Sequence, residues 1–327
     1  MDNKASAMKR LSVLSSRLER DENLKNSYDA VFREMLADNI IEDVPEDSLE
    51  SESVFYMPHH PVVKQSSTTT KVRRVFDTSA KGYNRVSLND CMHTGPNLLP
   101  DLPGLLLRFR RWKFALSADV TKAFLQVGVK KDDRDVHRFL WNDHGTVRVM
   151  RFTRVPFGNK ASPYLLMATI KHHLAKQTQT HVVSELEENL YMDDWMSGCD
   201  KEEMAVNMFE QASEIMLGAG MHPAKWGSNN IDLCQRFGSP LSSTGAHKVL
   251  GMKWEPASDS FSFEGLEVTN TLCLTKRVIL SLISRLFDPL GLLHPFTIRA
   301  NILFHEWLQE LATLRVWHIP RCYFTSL

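Results

Sequence analysis

Asn189-Leu-Tyr-Met-Asp-Asp-Trp-Met196 sets two adjacent carboxylates, Asp193 and Asp194, between two short apolar runs. Apolar residues on either side of a polar pair predict a β-hairpin that presents both acids at its tip. Gly198 and Asp200 are expected to supply the turn chemistry that closes its second strand. Two carboxylates held together repel each other, so the pair is costly unless a cation joins them. Magnesium with bound phosphate is the natural resident, and a solvated turn is the plain alternative. A third acid at the end of another strand decides between them, because two-metal phosphoryl transfer needs carboxylates from separate elements to converge.

That acid stands upstream. Phe114, Leu116 and Ala118 alternate with Ala115 and Ser117 and lead to Asp119, a strand that delivers a carboxylate at its C-terminal end. A helix N-cap is the other use of an aspartate there, and it is compatible with holding a metal. Val120 to Val127 follows as a tight turn or short helix. Between the acids, Phe139–Trp141 and Val147–Phe152 read as strands joined by Asn142-Asp-His-Gly145. Val155-Pro-Phe-Gly-Asn-Lys-Ala-Ser-Pro163 is a loop leading into an apolar helix, Tyr164–Leu174. Such a loop suits the lining of a base-pair pocket, and a plain strand-to-helix connection looks the same.

Before Asp119, Lys64 to Arg85 holds six basic residues against the single acid Asp77. The run Thr68-Thr-Thr-Lys-Val-Arg-Arg-Val-Phe-Asp77 alternates as a β-ribbon with Lys71 and Arg73 on one face. Those cations suit the phosphates of a nucleotide or template, and equally a solvated β-edge guarded by charge. Val54–Val63 reads as a short strand broken by Pro58 and Pro61. His59 and His60, being adjacent, point to opposite faces and are read as structural. Two amphipathic helices open the chain, on Met8, Leu11, Leu14 and Leu18, then on Leu24, Tyr28, Val31, Phe32, Met35 and Leu36. Asp38 to Glu52 is acidic and reads as a loop or edge connector. Leu88–Leu98 is turn-rich, and Pro100–Leu107 begins a helix that ends in Arg108, Arg110, Arg111 and Lys113.

After the hairpin, Met204, Met208, Phe209, Ala212, Ile215 and Met216 mark an amphipathic helix whose methionines are core. Lys225 follows beside Trp226, and Lys248-Val-Leu-Gly-Met-Lys-Trp254 is a strand and turn. Two further helical stretches, Val278–Phe287 and Ile298–Leu311, flank a break at Asp288-Pro-Leu-Gly291.

The 327 residues are 43% hydrophobic and 24% charged, ordinary for a globular chain. Basic and acidic residues balance at 39 each, so any case for nucleic acid rests on local clusters. The five cysteines lack paired spacing, which argues against a zinc site or disulfide framework and fits a reducing compartment. Met1–Arg20 is too polar for a signal peptide, and no run of about 18 apolar residues occurs. A soluble, intracellular protein with no membrane partner is expected.

This series of motifs resembles the palm and fingers of reverse transcriptases, and its wording is most similar to the BEL/Pao class of long-terminal-repeat retrotransposons. The residues that carry it are His59-His60, Ser66-Ser-Thr-Thr-Thr-Lys71, Val75-Phe-Asp77, Asp119 with Ala123-Phe-Leu-Gln126, Val155-Pro-Phe-Gly158, Tyr191-Met-Asp-Asp194, Lys225-Trp226 and Ser284–Leu292. The resemblance covers almost the whole chain. It implies an α+β, right-hand polymerase fold: an N-terminal helical extension and acidic connector over 1–52, fingers and palm over 53–255, and the start of a helical thumb over 256–327.

It implies RNA-directed DNA polymerase activity with two Mg²⁺ ions, or Mn²⁺, held by Asp119, Asp193, Asp194 and the Val120 carbonyl. Arg73, Lys71 and Lys225 match positions at the triphosphate of a dNTP. Phe124 matches the bulky residue under the sugar, and Leu250-Gly251 resembles the primer grip. Phe157 stands where many retroviral enzymes have glutamine. The implied partners are an RNA or DNA template with its primer, dNTPs, and the protease, ribonuclease H and integrase domains of a polyprotein, in the cytoplasm or a virus-like particle. A non-catalytic nucleic-acid-binding remnant and a metal-dependent nuclease are the competing readings.

Overall fold

The computed structural model describes residues 3–46, 53–63, 72–83, 85–238, 247–263 and 276–314. Lys71, Cys273 and Cys322 lie outside them. In chain order the helices are α1 (Lys4–Leu18), α2 (Glu22–Ala37), α3 (Leu88–Cys91), α4 (Leu102–Phe109), α5 (Ala123–Gln126) and α6 (Ser162–Leu174), followed by α7 (His181–Asn189), α8 (Glu202–Gly218), α9 (Ile231–Arg236), α10 (Lys276–Arg285) and α11 (His294–Leu314). The first strands are β1 (Ile41–Asp43), β2 (His59–Val63), β3 (Val72–Phe76), β4 (Phe114–Val120), β5 (Arg138–Asp143) and β6 (Thr146–Phe152). The rest are β7 (Leu190–Tyr191), β8 (Asp194–Cys199), β9 (Pro223–Ser228), β10 (His247–Val249), β11 (Met252–Glu255) and β12 (Ser260–Ser262). The chain divides into two units, Met1–Leu99 with Val120–Asp193 and Gln211–Pro223, and Pro100–Asp119 with Asp194–Glu210 and Ala224–Leu327.

The core of the first unit is built around α2. Its N-cap Asp21 accepts from the Leu24 amide at 3.0 Å. Phe32, fully buried, stacks on Phe139 and Trp141 and meets Phe76 edge-on. α1 contributes Leu14 and Leu18 to the same cluster. Asn3, ahead of α1, donates to the Tyr56 carbonyl at 2.8 Å and accepts from its amide at 2.7 Å, the pairing that a strand neighbour would make. His59 faces inward on β2 while His60 is exposed, as adjacent strand residues must be. The His59 ring sits 2.6 Å from the Tyr28 hydroxyl and 2.8 Å from the Leu140 carbonyl, and burial pushes its pKa down to about 4. Its role is structural.

β5 and β6 form a hairpin closed by His144 and Gly145, both at positive φ, as a two-residue turn between twisted strands requires. The acidic stretch that reads as a connector contains an edge strand, because its acids meet arginines. β1 pairs with β6, Glu42 reaches Arg151 at 2.7 Å and Arg134 at 3.2 Å, and Asp43 reaches Arg148 at 2.6 Å. α7 escaped the sequence reading because Glu185, Glu187 and Glu188 mask the apolar face of Val182, Val183 and Leu186.

In the second unit β4 pairs antiparallel with β8. Gly198 lies inside β8 and does not close it. A side chain there would collide with the Phe114 carbonyl and the Trp112 ring, so the glycine serves close strand packing. Trp195, Phe209, Trp226 and Phe237 form an aromatic cluster, with Phe209 stacked on Phe237 at 4.5 Å. β10, β11 and β12 make a separate antiparallel sheet. Met208 and Met216 of α8 are buried, as a core stripe should be. Among the described residues no helix is long and apolar enough to cross a membrane.

Candidate active site

β4 buries Ala115, Leu116, Ala118 and Val120 and leaves Asp119 partly exposed near its C-terminal end. The register places Asp119 directly opposite Asp194, the first residue of β8. Like charges facing each other on neighbouring strands destabilise a sheet, so this pairing calls for a cation. Lys225 on β9 supplies one. Its ammonium donates to Asp119 Oδ2 at 3.0 Å, and its φ of +51° is a left-handed conformation that a lysine seldom adopts. The start of β4 is fixed by Asn229, which accepts from the Ala115 amide at 2.9 Å and donates to the Lys113 carbonyl at 3.0 Å.

An all-oxygen donor set suits a hard cation such as Mg²⁺. Among the described residues no three metal-capable side chains gather. Mg²⁺ does not demand that, since it is commonly held by one or two carboxylates with water and substrate phosphates completing the shell. Asp119 and Asp194 fit that requirement, and the ammonium on Asp119 occupies the place of a cation.

In the first unit the Val120 amide donates to the Asp193 carbonyl at 2.7 Å, and Met192 takes φ +57° in the turn that carries Asp193. Thr121 donates to the His222 carbonyl at 2.9 Å. Lys122, at φ +50°, is tied to Glu34 at 2.8 Å and Asp38 at 3.4 Å on α2. This turn leads into α5 and sets Phe124 edge-to-face with Phe157, ring centres 5.1 Å apart. Phe157 is 49% exposed. On β3 the two neighbouring arginines separate by strand alternation: Arg73 faces solvent, while Arg74 lies over the Phe32 ring at 4.9 Å and reaches the Met35 sulfur.

Leu250 and Gly251 form the two-residue turn between β10 and β11, at φ +46° and +87°. A leucine in this region costs about 1–2 kcal/mol. A side chain on Gly251 would come within 2.8 Å of the Phe287 ring. Lys248 and Lys253 face each other just behind the turn.

Three sets of expected site residues are therefore brought together: Asp119 with Asp194 and Lys225, Val120 with Asp193, and Phe124 with Phe157. Arg73 is displayed on β3 and Leu250-Gly251 on its own hairpin. The sequence reading passed over Lys122, whose signal was only a lysine three residues after an acid. It also passed over Thr78 and Asn89, which bond the loop bearing Phe157 and look in sequence like ordinary turn residues.

Residues 63–225 match the model of the family Reverse transcriptase (RNA-dependent DNA polymerase), a span that takes in the three aspartates, Arg73, Phe124, Phe157 and Lys225. A comparison with curated proteins finds no match. Among solved structures, the foamy viral protease-reverse transcriptase with double-stranded DNA is similar at 20% identity and TM-score 0.56, over 80% of this chain and 47% of that one. Its dRH form with double-stranded DNA gives 19%, 0.56, 80% and 39%. The same enzyme with an RNA/DNA hybrid gives 18%, 0.55, 80% and 30%. The chain thus spans between 30% and 47% of the length of these solved chains. At such identities the likeness establishes the fold, a mixed arrangement of helices and antiparallel sheets shared with a retroviral polymerase. With the family match, residues 63–225 are similar to a reverse transcriptase domain.

Proposed function

We propose that this chain is the RNA-directed DNA polymerase part of a retrotransposon polyprotein, of the BEL/Pao class that its motifs resemble. It extends a primer 3′-hydroxyl with dNTPs on an RNA or DNA template. The observation that carries this reading is the pair Asp119 and Asp194, opposed across β4 and β8 with the Lys225 ammonium on Asp119. The foamy viral relatives were solved with double-stranded DNA and with an RNA/DNA hybrid, which supports a template-primer duplex as the partner. Fingers and palm over 53–255 and the first thumb helices beyond are the matching division, with 1–52 as the N-terminal extension. Protease, ribonuclease H and integrase are the accompanying domains.

Asp119, Asp193, Asp194 and the Val120 carbonyl would hold two Mg²⁺, whose chemistry there is to activate the primer hydroxyl and to neutralise charge on the triphosphate. The protein's own groups do the rest. Lys225 is placed to exchange its bond with Asp119 for a triphosphate oxygen, moving positive charge toward the leaving group. Arg73, with Lys71 as its expected partner, offers a guanidinium fork to the same phosphates. Phe124 fills the space that a ribose 2′-hydroxyl would need, and Phe157 backs it. Leu250-Gly251 presents backbone to the primer strand.

The test is extension of a labelled primer on an RNA template with Mg²⁺ and dNTPs, comparing the wild type with Asp193→Asn. Template-dependent growth of the primer, lost in the variant, is expected. Shortening of the primer in Mg²⁺ without nucleotides would identify a nuclease instead.

A further inference from the structure

Phe157 is an exposed aromatic on a loop that is otherwise tied down, and the ties come from two residues that the polymerase reading leaves idle. Thr78, 2% exposed, donates its hydroxyl to the Gly158 carbonyl at 2.6 Å. Asn89 brackets the same residue. Its amide nitrogen lies 3.1 Å from the Gly158 carbonyl and 3.0 Å from Thr78 Oγ1, while its oxygen accepts from the Lys160 amide at 3.0 Å. The two are joined to each other as well, since the Asn89 amide donates to the Thr78 carbonyl at 3.2 Å.

Asn89 is itself held rigidly. It sits in the single turn of α3, where Ser87 and Asp90 form a reciprocal capping box and Leu88 is buried. At the other end, Gly158 has φ +97°, and a side chain there would come 2.9 Å from the Phe76 carbonyl. The loop backbone thus lies pressed against the end of β3, with Phe157 left to project toward Phe124.

We propose that Thr78 and Asn89 are positioning residues for nucleotide selection: by clamping the Gly158 carbonyl and the Lys160 amide they keep Phe157 against Phe124, and so fix the wall of the pocket that receives the sugar and base of a dNTP. This rests on the polymerase reading above. A mobile Phe157 would let Phe124 relax, so nucleotide fit would suffer before chemistry does.

The experiment uses the whole chain and the variants Thr78→Val, which keeps shape and removes the donor, Thr78→Ser, which restores it, and Asn89→Ala. With an RNA template, Mg²⁺ and dNTPs, Thr78→Val and Asn89→Ala are expected to raise KM for the dNTP about tenfold, the worth of one good hydrogen bond, with kcat little changed. Discrimination against ribonucleotides should fall alongside, and Thr78→Ser should behave as wild type. Wild-type KM and discrimination in both Thr78→Val and Asn89→Ala would overturn the clamp. Amide hydrogen exchange over residues 157–160 decides the matter without turnover. Protection lost in Thr78→Val and kept in Thr78→Ser supports the clamp, and equal protection in all variants overturns it. A wild type that never extends a primer would remove the polymerase reading, leaving the exchange result to decide the clamp.

Discussion

The β5–β6 hairpin with its neighbours and the β4–β8 pair are both short antiparallel ladders that carry charge, and they treat it in opposite ways. Around β5 and β6, Asp135 bonds Arg138 at 3.0 Å and Arg151 at 2.8 Å, and Glu42 bonds Arg151 at 2.7 Å; both arginine side chains are 1% exposed. Opposite charges interleave along the chain Arg138, Asp135, Arg151 and Glu42. On β4 and β8, carboxylate faces carboxylate in register, with an exposed lysine reaching one of them. The first arrangement spends its charge on holding strands together. The second sets like charges face to face, which is the arrangement that the proposed metal site would use.

Exchanging one charge in each region should therefore give opposite phenotypes. Asp194→Asn is expected to lower primer extension about a thousandfold or more, as loss of a metal-holding carboxylate should. Its denaturant midpoint should match or slightly exceed that of the wild type. A large drop in stability would make Asp194 a structural charge. Asp135→Asn should do the reverse and cost about 3–5 kcal/mol of unfolding free energy, since it removes the carboxylate that two buried arginines share. Urea unfolding reads this directly, and a loss within about 0.5 kcal/mol would show that the network is dispensable.

Acid should attack the first unit through its buried imidazoles. Burial lowers His59 and His137 to about 4 from an ordinary 6.5. The folded state keeps both neutral while the unfolded chain takes up protons. Their stability is thus complete above pH 6.5 and is lost as pH falls from 6.5 toward 4, on the order of 3 kcal/mol each. Unfolding midpoints that do not change between pH 7 and 4.5 would contradict this. The smallest contrast lies within β3. Arg73→Ala should raise KM for dNTPs and leave stability unchanged, whereas Arg74→Leu should cost about 1 kcal/mol of stability through its contact with Phe32. Equal effects would erase the distinction between the two faces.

Much of this was legible in the sequence where the chemistry is local. Alternation to Asp119 and the apolar flanks of Asp193-Asp194 announce the strands β4 and β8, although Asp194 begins β8 and does not lie at a turn tip. The fold class followed from the motif order. Long-range partners stayed hidden. Nothing local says that Glu42 will find Arg151, so an edge strand reads as a connector, or that Gly198 is needed beneath Trp112 and not in a turn. Asn3 completing the pairing of Tyr56, and Asn89 clamping Gly158, are likewise contacts between distant short polar residues with no periodicity to announce them.

Under the proposed function the opposed carboxylates of β4 and β8 would hold a divalent cation. Thermal unfolding of the wild type and Asp119→Asn, with millimolar Mg²⁺ and with chelator, tests it most directly. Mg²⁺ at about a hundred times its dissociation constant should add about 2.7 kcal/mol to the wild type and nothing comparable to the variant. An equal shift in both proteins, or no shift in either, would contradict the account.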